Sequence, residues 1–316
     1  MSRWQLEPYS LQGDISARLI SGAGRVLSPF GYRGYWQAAQ LLGALADKGQ
    51  RCVIQLGQGD CMSVHVRDQY WSRLLAPGFR YEPDIWRILA AIGFGPKSGF
   101  LDCGANYGYW SIIASGRNFS CPHVVAVEAS AATFAELSRN RVLNGDRFVA
   151  IHRALFSESG RQLFLESSQD HHSAASFSLV PSRGGVLTSS VDDLVAEHFG
   201  LELDVLCVKL DVEGVEIEAF EGATETQSRN ALFMYEDHGN DPTARVTRYV
   251  LEKGLAVYFV TDDLTIVPVP DLEAARRLKV RDMIGYNFFA AAPDAPVAAT
   301  LGREVSKRRT ANAIRS

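Results

Sequence analysis

The chain has 316 residues, 47% of them hydrophobic and 22% charged, with a formal net charge of −4. This is an ordinary soluble, globular balance, sized for one large domain or one domain plus an accessory segment. The acidic balance excludes a global attraction to nucleic acid or to an anionic membrane, and no stretch approaches the roughly 18 consecutive apolar residues of a membrane span.

The opening MSRWQLEPYS has no apolar core of the kind a secretory signal carries. Five cysteines (Cys52, Cys61, Cys103, Cys121, Cys207) show no C-x-x-C spacing and are odd in number. They read as reduced, mostly buried thiols, which points to the cytoplasm.

In chain order, residues 1–34 hold Pro8, Pro29 and several glycines and read as irregular. Tyr35, Ala38, Ala39, Leu42, Leu45 and Ala46 recur at helical spacing over 35–48. "CVIQL" and "CMSVHV" flank Gly57-Gln58-Gly59-Asp60 and read as a hairpin. A helix starts at Pro83, with Asp84 in its first turn and an apolar stripe of Ile85, Ile88, Leu89 and Ile92.

From residue 99 the rhythm turns to strand–helix alternation. "GFLDC" and "HVVAVEA" are strands, the latter followed by a helix capped by Ser130 and carrying Ala131, Phe134, Ala135 and Val142. "RFVAIHRAL" and "RQLFLE" are strand candidates, 167–185 is a polar loop, and Ser190 with Asp193 starts a short helix at 192–198. "DVLCVKLDV" is apolar throughout, as a strand covered on both faces must be. "ALFMYED", a helix near 243–253, and "AVYFV", "LTIVPV" and "YNFFAAA" complete the pattern. Such alternation predicts an α/β, doubly wound sheet, mainly parallel with an antiparallel edge. The basic end "REVSKRRTANAIRS" reads as a disordered tail whose Lys307, Arg308 and Arg309 are solvated.

The strand–loop–helix "LDCGANYGYWS" sits where such sheets bind ligands. A dinucleotide site wants G-x-G-x-x-G with a pyrophosphate on the helix N-terminus. Here the loop is D-x-G-x-N-x-G, with Asp102 ahead of Gly104, Asn106 and Gly108. A carboxylate repels a pyrophosphate and suits a cation such as the amino group of S-adenosylmethionine. Glu128, about two dozen residues on at the end of the next strand, is placed to accept ribose hydroxyls. The bland alternative makes Asp102 a helix cap and Glu128 a solvated strand end.

A second cluster closes the later strand: "VKLDVEG" puts Lys209, Asp211 and Glu213 at period two. One reading is a structural ion pair, Lys209 with Asp211 or with Glu236, and an N-terminal helix acid at Glu213. The other places Asp211 and Glu213 at the mouth of the cofactor pocket, facing a transferred methyl. In "MYEDHGND", His238 is a candidate general base for a hydroxyl. Asp211, Glu236, Asp237 and His238 are also donor types for Mg²⁺ or Mn²⁺, so a divalent metal is a possible but unfavoured cofactor. A plain surface histidine competes with both, and His171-His172 reads as solvated. Trp36, Trp71, Trp86 and Trp110 are core residues or sugar-stacking faces.

Together "FLDCGANYGYWS", "VVAVEASAATFAELSRNRVLNG", "RALFSESG", "SSVDDL" and "VLCVKLDVEGVEIEAFEGA", in this order and preceded by "YEPDIW", resemble the FkbM family of S-adenosylmethionine-dependent methyltransferases over roughly residues 80–240. The resemblance implies a class I methyltransferase fold and O-methylation of sugars on glycans or of natural-product hydroxyls. By position it implies that Asp102, Gly104, Asn106 and Gly108 line the methionine end of the cofactor. Glu128 would hold the ribose, Ala154 and Leu155 would lie near the adenine, and Glu82 would reach the same pocket. Tyr107 and Cys103 depart from the aliphatic residues usual in the family.

The expected organisation is an accessory α+β segment (1–80), a Rossmann-like methyltransferase domain (81–292) and the tail (293–316). Asp211 or His238 is the expected base, with Glu213 orienting a small-molecule or glycan acceptor. A homodimer through the 35–66 region is a further expectation. The rival readings are a nucleotide-binding oxidoreductase and a non-catalytic S-adenosylmethionine-binding protein.

Overall fold

Apolar strands joined by amphipathic helices need cover on both faces, and the chain supplies it. The computed structural model describes residues 4–167, 175–178, 185–200, 203–282 and 284–313. The N-terminal region contains strand β1 (Trp4–Glu7), helices α1 (Leu11–Leu27) and α2 (Tyr35–Gly43), the hairpin β2 (Arg51–Gly57) and β3 (Asp60–His65), and helix α3 (Pro83–Ile92). Then come β4 (Ser98–Cys103), α4 (Tyr109–Ser115), β5 (His123–Glu128), α5 (Ala131–Leu143) and β6 (Val149–His152). Short strands β7 (Ala154–Leu155), β8 (Gln162–Ser167), β9 (Ala175–Ser178) and β10 (Val186–Ser189) lead to α6 (Val191–His198). The chain continues through β11 (Val205–Leu210), α7 (Glu216–Glu221), α8 (Thr224–Gln227), β12 (Ala231–His238) and α9 (Arg245–Glu252). It ends with β13 (Ala256–Val260), β14 (Ile266–Val269), α10 (Leu272–Leu278), β15 (Gly285–Ala291) and α11 (Pro296–Ala313).

The main sheet has eight strands in the order β14-β13-β15-β12-β11-β4-β5-β6. From β12 to β6 every pairing is parallel, while β15, β13 and β14 pair antiparallel at the other edge. Strand order reverses between β4 and β11, where Lys209 lies opposite Asp102. Every residue of β4 and β11 is buried. Alternate side chains feed one core on each face: Phe100, Val124 and Cys207 on one side, Leu101, Val125 and Val208 on the other. The fold is therefore the Rossmann-like, doubly wound sheet with an antiparallel edge and a small N-terminal α+β segment.

Several expectations change. Residues 11–27 form a long helix rather than irregular chain, although glycine disfavours helices. The glycines are there for close approach: a Cβ on Gly24 would stand 2.3 Å from the Ala76 Cβ. Helix α2 is shorter than expected and stops at Gly43. Helix α10 was not anticipated; Asp271 caps it. The tail expected to be disordered runs as α11 to Ala313; its own Val297, Ala298 and Leu301 are buried, and its Glu304 accepts from Arg87 at 2.7 Å. His171-His172 lies outside the described residues.

Helix α5 also turns a different face inward: Thr133, Leu137 and Asn140 are buried, whereas Val142 is exposed. The reason lies in β3, whose outer edge would otherwise leave polar backbone groups unpaired. Asn140 accepts from the Ser63 N–H at 2.7 Å and donates to the Ser63 carbonyl at 3.2 Å. One turn later Asn144 does the same for Cys61, at 3.0 and 2.7 Å. Two side-chain amides thus stand in for a strand and fasten the β1-β2-β3 sheet to the main fold.

Candidate active site

The loop after β4 is shaped by what presses on it. Gly104 has φ +75°, and a Cβ there would fall 1.8 Å from the Asp211 carbonyl oxygen. The backbones leaving β4 and β11 therefore meet at this point, and only glycine fits. The Gly104 and Ala105 N–H groups both donate to the Val127 carbonyl at 2.9 Å, tying the loop to β5. Asn106 follows at φ +52°. Its N–H donates to Glu128 Oε2 at 2.9 Å, and its Oδ1 accepts from the Tyr107 N–H at 2.8 Å and from Trp71 Nε1 at 2.9 Å.

These elements surround one cavity of about 280 Å³ at the carboxyl ends of the central strands. Of the residues singled out in the sequence, Glu82, Asp102, Gly104, Asn106, Glu128 and Leu155 line it. So do Asp211, Glu213 and His238. Gly108 and Ala154 are not brought to it. Gly108 begins α4 at φ +89° and packs against Leu137, and Ala154 is fully buried beside the cavity-lining Leu155. Trp71 and Trp110 line the cavity; Trp36 and Trp86 do not.

The walls are strongly acidic. Glu128 takes N–H bonds from Asn106 and, through Oε1, from Ser130 at 2.8 Å, yet burial still pushes its carboxyl up to about 7. Burial likewise raises Asp102, whose Oδ2 accepts from Ser111 Oγ at 2.6 Å. Glu82, in the left-handed region at φ +42°, accepts from Trp110 Nε1 and from Asn287 Nδ2; burial raises it too. Glu213 is pushed up to about 7, first by burial and then by Asp211 and Glu216. Glu236 is raised by burial and by Asp211 and Glu213 beside it.

Against these acids stands Lys209, 4% exposed, with Nζ 2.7 Å from Asp211 Oδ2. Burial acts to lower its ammonium, but Asp211, Glu82 and Asp102 override that and hold it above the ordinary lysine range. The structural pair foreseen for Lys209 is thus with Asp211. The strand itself ends at Leu210, so Asp211 and Glu213 enter the cavity from the turn that follows. The acid closing the start of α7 is Glu216, which accepts the Gly214 N–H at 3.1 Å, rather than Glu213.

Strand parity separates the residues of β12. His238 lies beside Glu236, Nε2 to Oε2 at 3.4 Å, on the cavity side. Asp237 points the other way, accepting from Thr247 Oγ1 at 2.6 Å and from Lys279 Nζ at 2.6 Å. The four-residue metal set considered from sequence is therefore not assembled. Among the described residues no group of three or more His, Cys, Asp or Glu is arranged to hold a metal.

Sequence reasoning named Trp71 and Trp110 as core or sugar-stacking residues but missed Arg153 and the tyrosines beside them. Tyr70, Trp71, Tyr81 and Tyr109 line the cavity together with the acids; burial raises the Tyr70 and Tyr81 hydroxyls, and Glu82 and Asp211 lie close enough to raise them further. Tyr70 and Tyr81 share a hydroxyl–hydroxyl bond at 2.7 Å, and the Trp71 and Tyr109 rings stack at 6.0 Å. Tyr70 and Tyr81 lie ahead of the strand–helix pattern and gave no signal beyond aromatic content, and Tyr109 reads only as the first residue of α4.

An open, mainly parallel sheet with an acid-lined crevice at its switch point defines a Rossmann-like fold of the class I methyltransferase kind. Residues 102–258 match the family model described as the methyltransferase FkbM domain. The chain carries a domain of this family of S-adenosylmethionine-dependent methyltransferases.

Among solved structures it is similar to the methyltransferase FkbM from Methylobacillus flagellatus, at 15% identity and TM-score 0.37, covering 61% of this chain and 44% of that one. It is also similar to P. horikoshii TYW2 in complex with MeSAdo, at 15% identity and TM-score 0.37, covering 84% and 83%. Precorrin-6y C5,15-methyltransferase from Geobacter metallireducens matches at 10% identity and TM-score 0.38, covering 67% and 88%. No curated protein matches the chain.

Proposed function

We propose that the protein is an O-methyltransferase that takes S-adenosylmethionine in this cavity and methylates a hydroxyl on a sugar, glycan or natural product. The observation that carries the reading is the surplus of carboxyls at the switch point: Glu82, Asp102, Glu128, Asp211, Glu213 and Glu236 around one buried lysine and Arg153. Such walls disfavour a pyrophosphate and suit a ligand bearing an ammonium and a sulfonium. Glu128 would accept the ribose hydroxyls, Asp102 and the Gly104–Asn106 backbone would border the methionine end, and Leu155 would lie near the base.

The cofactor supplies an already activated methyl group, so this chain need not form a covalent intermediate. Its work is to position the acceptor and remove one proton. Positioning contributes roughly 7–11 kcal/mol in favourable systems. A well-placed base contributes about 10²–10⁴-fold. We assign the base to His238, at the cavity rim with Glu236 beside Nε2. One oxygen of Asp211 is already taken by Lys209, and Glu213 is left to orient the acceptor hydroxyl. A cytoplasmic setting accords with five free cysteines, four of them buried.

Equilibrium titration with S-adenosylhomocysteine and with NADH tests the site, and transfer from a methyl-labelled donor to a panel of sugars and polyhydroxylated small molecules tests the reaction. Tighter binding of the dinucleotide would overturn the proposal. His238→Gln should lower transfer by about 10²-fold or more while leaving S-adenosylhomocysteine affinity within a few-fold.

A further inference from the structure

Helix α1 lies outside the cavity and presents two unlike sides. Its buried side is Gly13, Ser16, Ala17, Ile20 and Gly24. At 3.6 residues per turn, Leu11, Ile15, Leu19 and Val26 fall within an arc of about 80° on the opposite side. They are exposed by 66%, 45%, 43% and 68%. An exposed aromatic stands at each end, Tyr9 before the helix and Phe30 in the turn after it. Exposed apolar side chains aligned along one side of a surface helix mark a contact surface.

Charge decides between the possible occupants. Residues 9–48 carry four basic side chains (Arg18, Arg25, Arg33, Lys48) against two acidic ones (Asp14, Asp47), although the whole chain is at −4. Asp14 is taken by Arg18 at 2.7 Å, while Arg25 and Arg33 are exposed without an acidic partner among the described residues. A second copy docked stripe to stripe about a two-fold axis would bring this basic rim against itself. A surface of anionic headgroups complements it. Leu, Val and Phe on one side, Arg at the flank and aromatics at the ends are the composition of a helix lying in a bilayer interface.

We propose that α1 is an interfacial helix that seats this protein on an anionic lipid surface. The inference is independent of the reading of the cavity. The full chain is to be sedimented with vesicles of phosphatidylcholine containing phosphatidylglycerol, and with pure phosphatidylcholine vesicles. Binding to the anionic vesicles, weakened at least about tenfold on neutral ones or at high salt, supports the proposal.

Ile15→Asp with Leu19→Asp should abolish the association, and Arg25→Glu with Arg33→Glu should weaken it by about tenfold or more. Unchanged S-adenosylhomocysteine affinity, or unchanged unfolding if the cavity reading fails, shows that each variant is folded. Three results would overturn the proposal: no association of the parent chain with anionic vesicles, equal association with neutral ones, or substitutions that split a solution dimer and leave vesicle binding intact.

Discussion

Glu128→Gln removes one proton-binding site and reverses one hydrogen bond. In the parent chain both carboxylate oxygens accept backbone N–H groups, from Asn106 at 2.9 Å and from Ser130 at 2.8 Å. A glutamine oxygen can accept only one of them; its NH₂ then faces the other N–H, donor against donor. A buried donor without an acceptor costs about 1–3 kcal/mol, or roughly 5–150-fold in affinity for a ligand that needs the loop in place.

The second effect is in the pH profile. With the carboxyl at about 7, a ligand whose ribose hydroxyls donate to the ionised form must first expel a proton in acid. At about pH 5.5 that requirement weakens binding about thirtyfold relative to the plateau above pH 8. Calorimetric titration of S-adenosylhomocysteine across this range should show affinity rising through pH 7 in the parent chain. In the variant this component of the rise should vanish. A variant that keeps both the parent affinity and its full pH dependence would refute the role given to Glu128.

Lys209→Met strands Asp211 in a buried acidic cluster and should destabilise the fold by about 3–5 kcal/mol in denaturant unfolding; adding Asp211→Leu should recover much of that loss. Gly104→Ala must displace the Asp211 carbonyl, which a Cβ would approach to 1.8 Å, so cofactor binding should be lost even where unfolding remains cooperative. For the unliganded chain, Glu128 and Glu213 rise from 4.5 to about 7 on folding. A raised carboxyl stabilises the fold below its ordinary value, and that contribution disappears as pH climbs to 7. Unfolding free energy should therefore fall between about pH 5 and pH 8, with about 3 kcal/mol per group as the upper bound, and S-adenosylhomocysteine should restore more of it at the higher pH. A rise in the stability of the unliganded chain over that interval would count against the buried acid cluster.

How far the sequence discloses this molecule depends on the range of the interaction that shapes each part. Strand β11 is legible because continuous burial leaves a continuous apolar run, and Ser130 and Ser190 are legible because each caps a helix by bonding an N–H three residues on. The loop after β4 is legible for the same reason: its left-handed turns need glycine or asparagine within a few positions.

Where the partner is remote, the pattern misleads. Helix α5 looks amphipathic on the wrong side because its inward face is set by a strand edge nearly eighty residues earlier, which wants amides rather than methyl groups. Asp237 reads as a neighbour of His238, yet one step along a strand turns a side chain to the opposite face, and Lys279 is waiting there. Helix α1 is masked by glycines whose purpose is visible only once Ala76 and Gln50 are seen against them.

The cavity combines both cases. All its acids but Glu82, which precedes α3, sit at strand ends or in the turn just after one, where a local pattern marks them. Its aromatic wall comes partly from Tyr70 and Trp71, ahead of the family-matched region, and Trp71 Nε1 reaches 35 residues along the chain to Asn106 Oδ1. Asn106 in turn holds Glu128 through its N–H, so an indole contributed by the N-terminal region is coupled, through two hydrogen bonds, to the carboxylate at the end of β5. A change in how that region packs would reach Glu128 without altering any residue of the glycine loop.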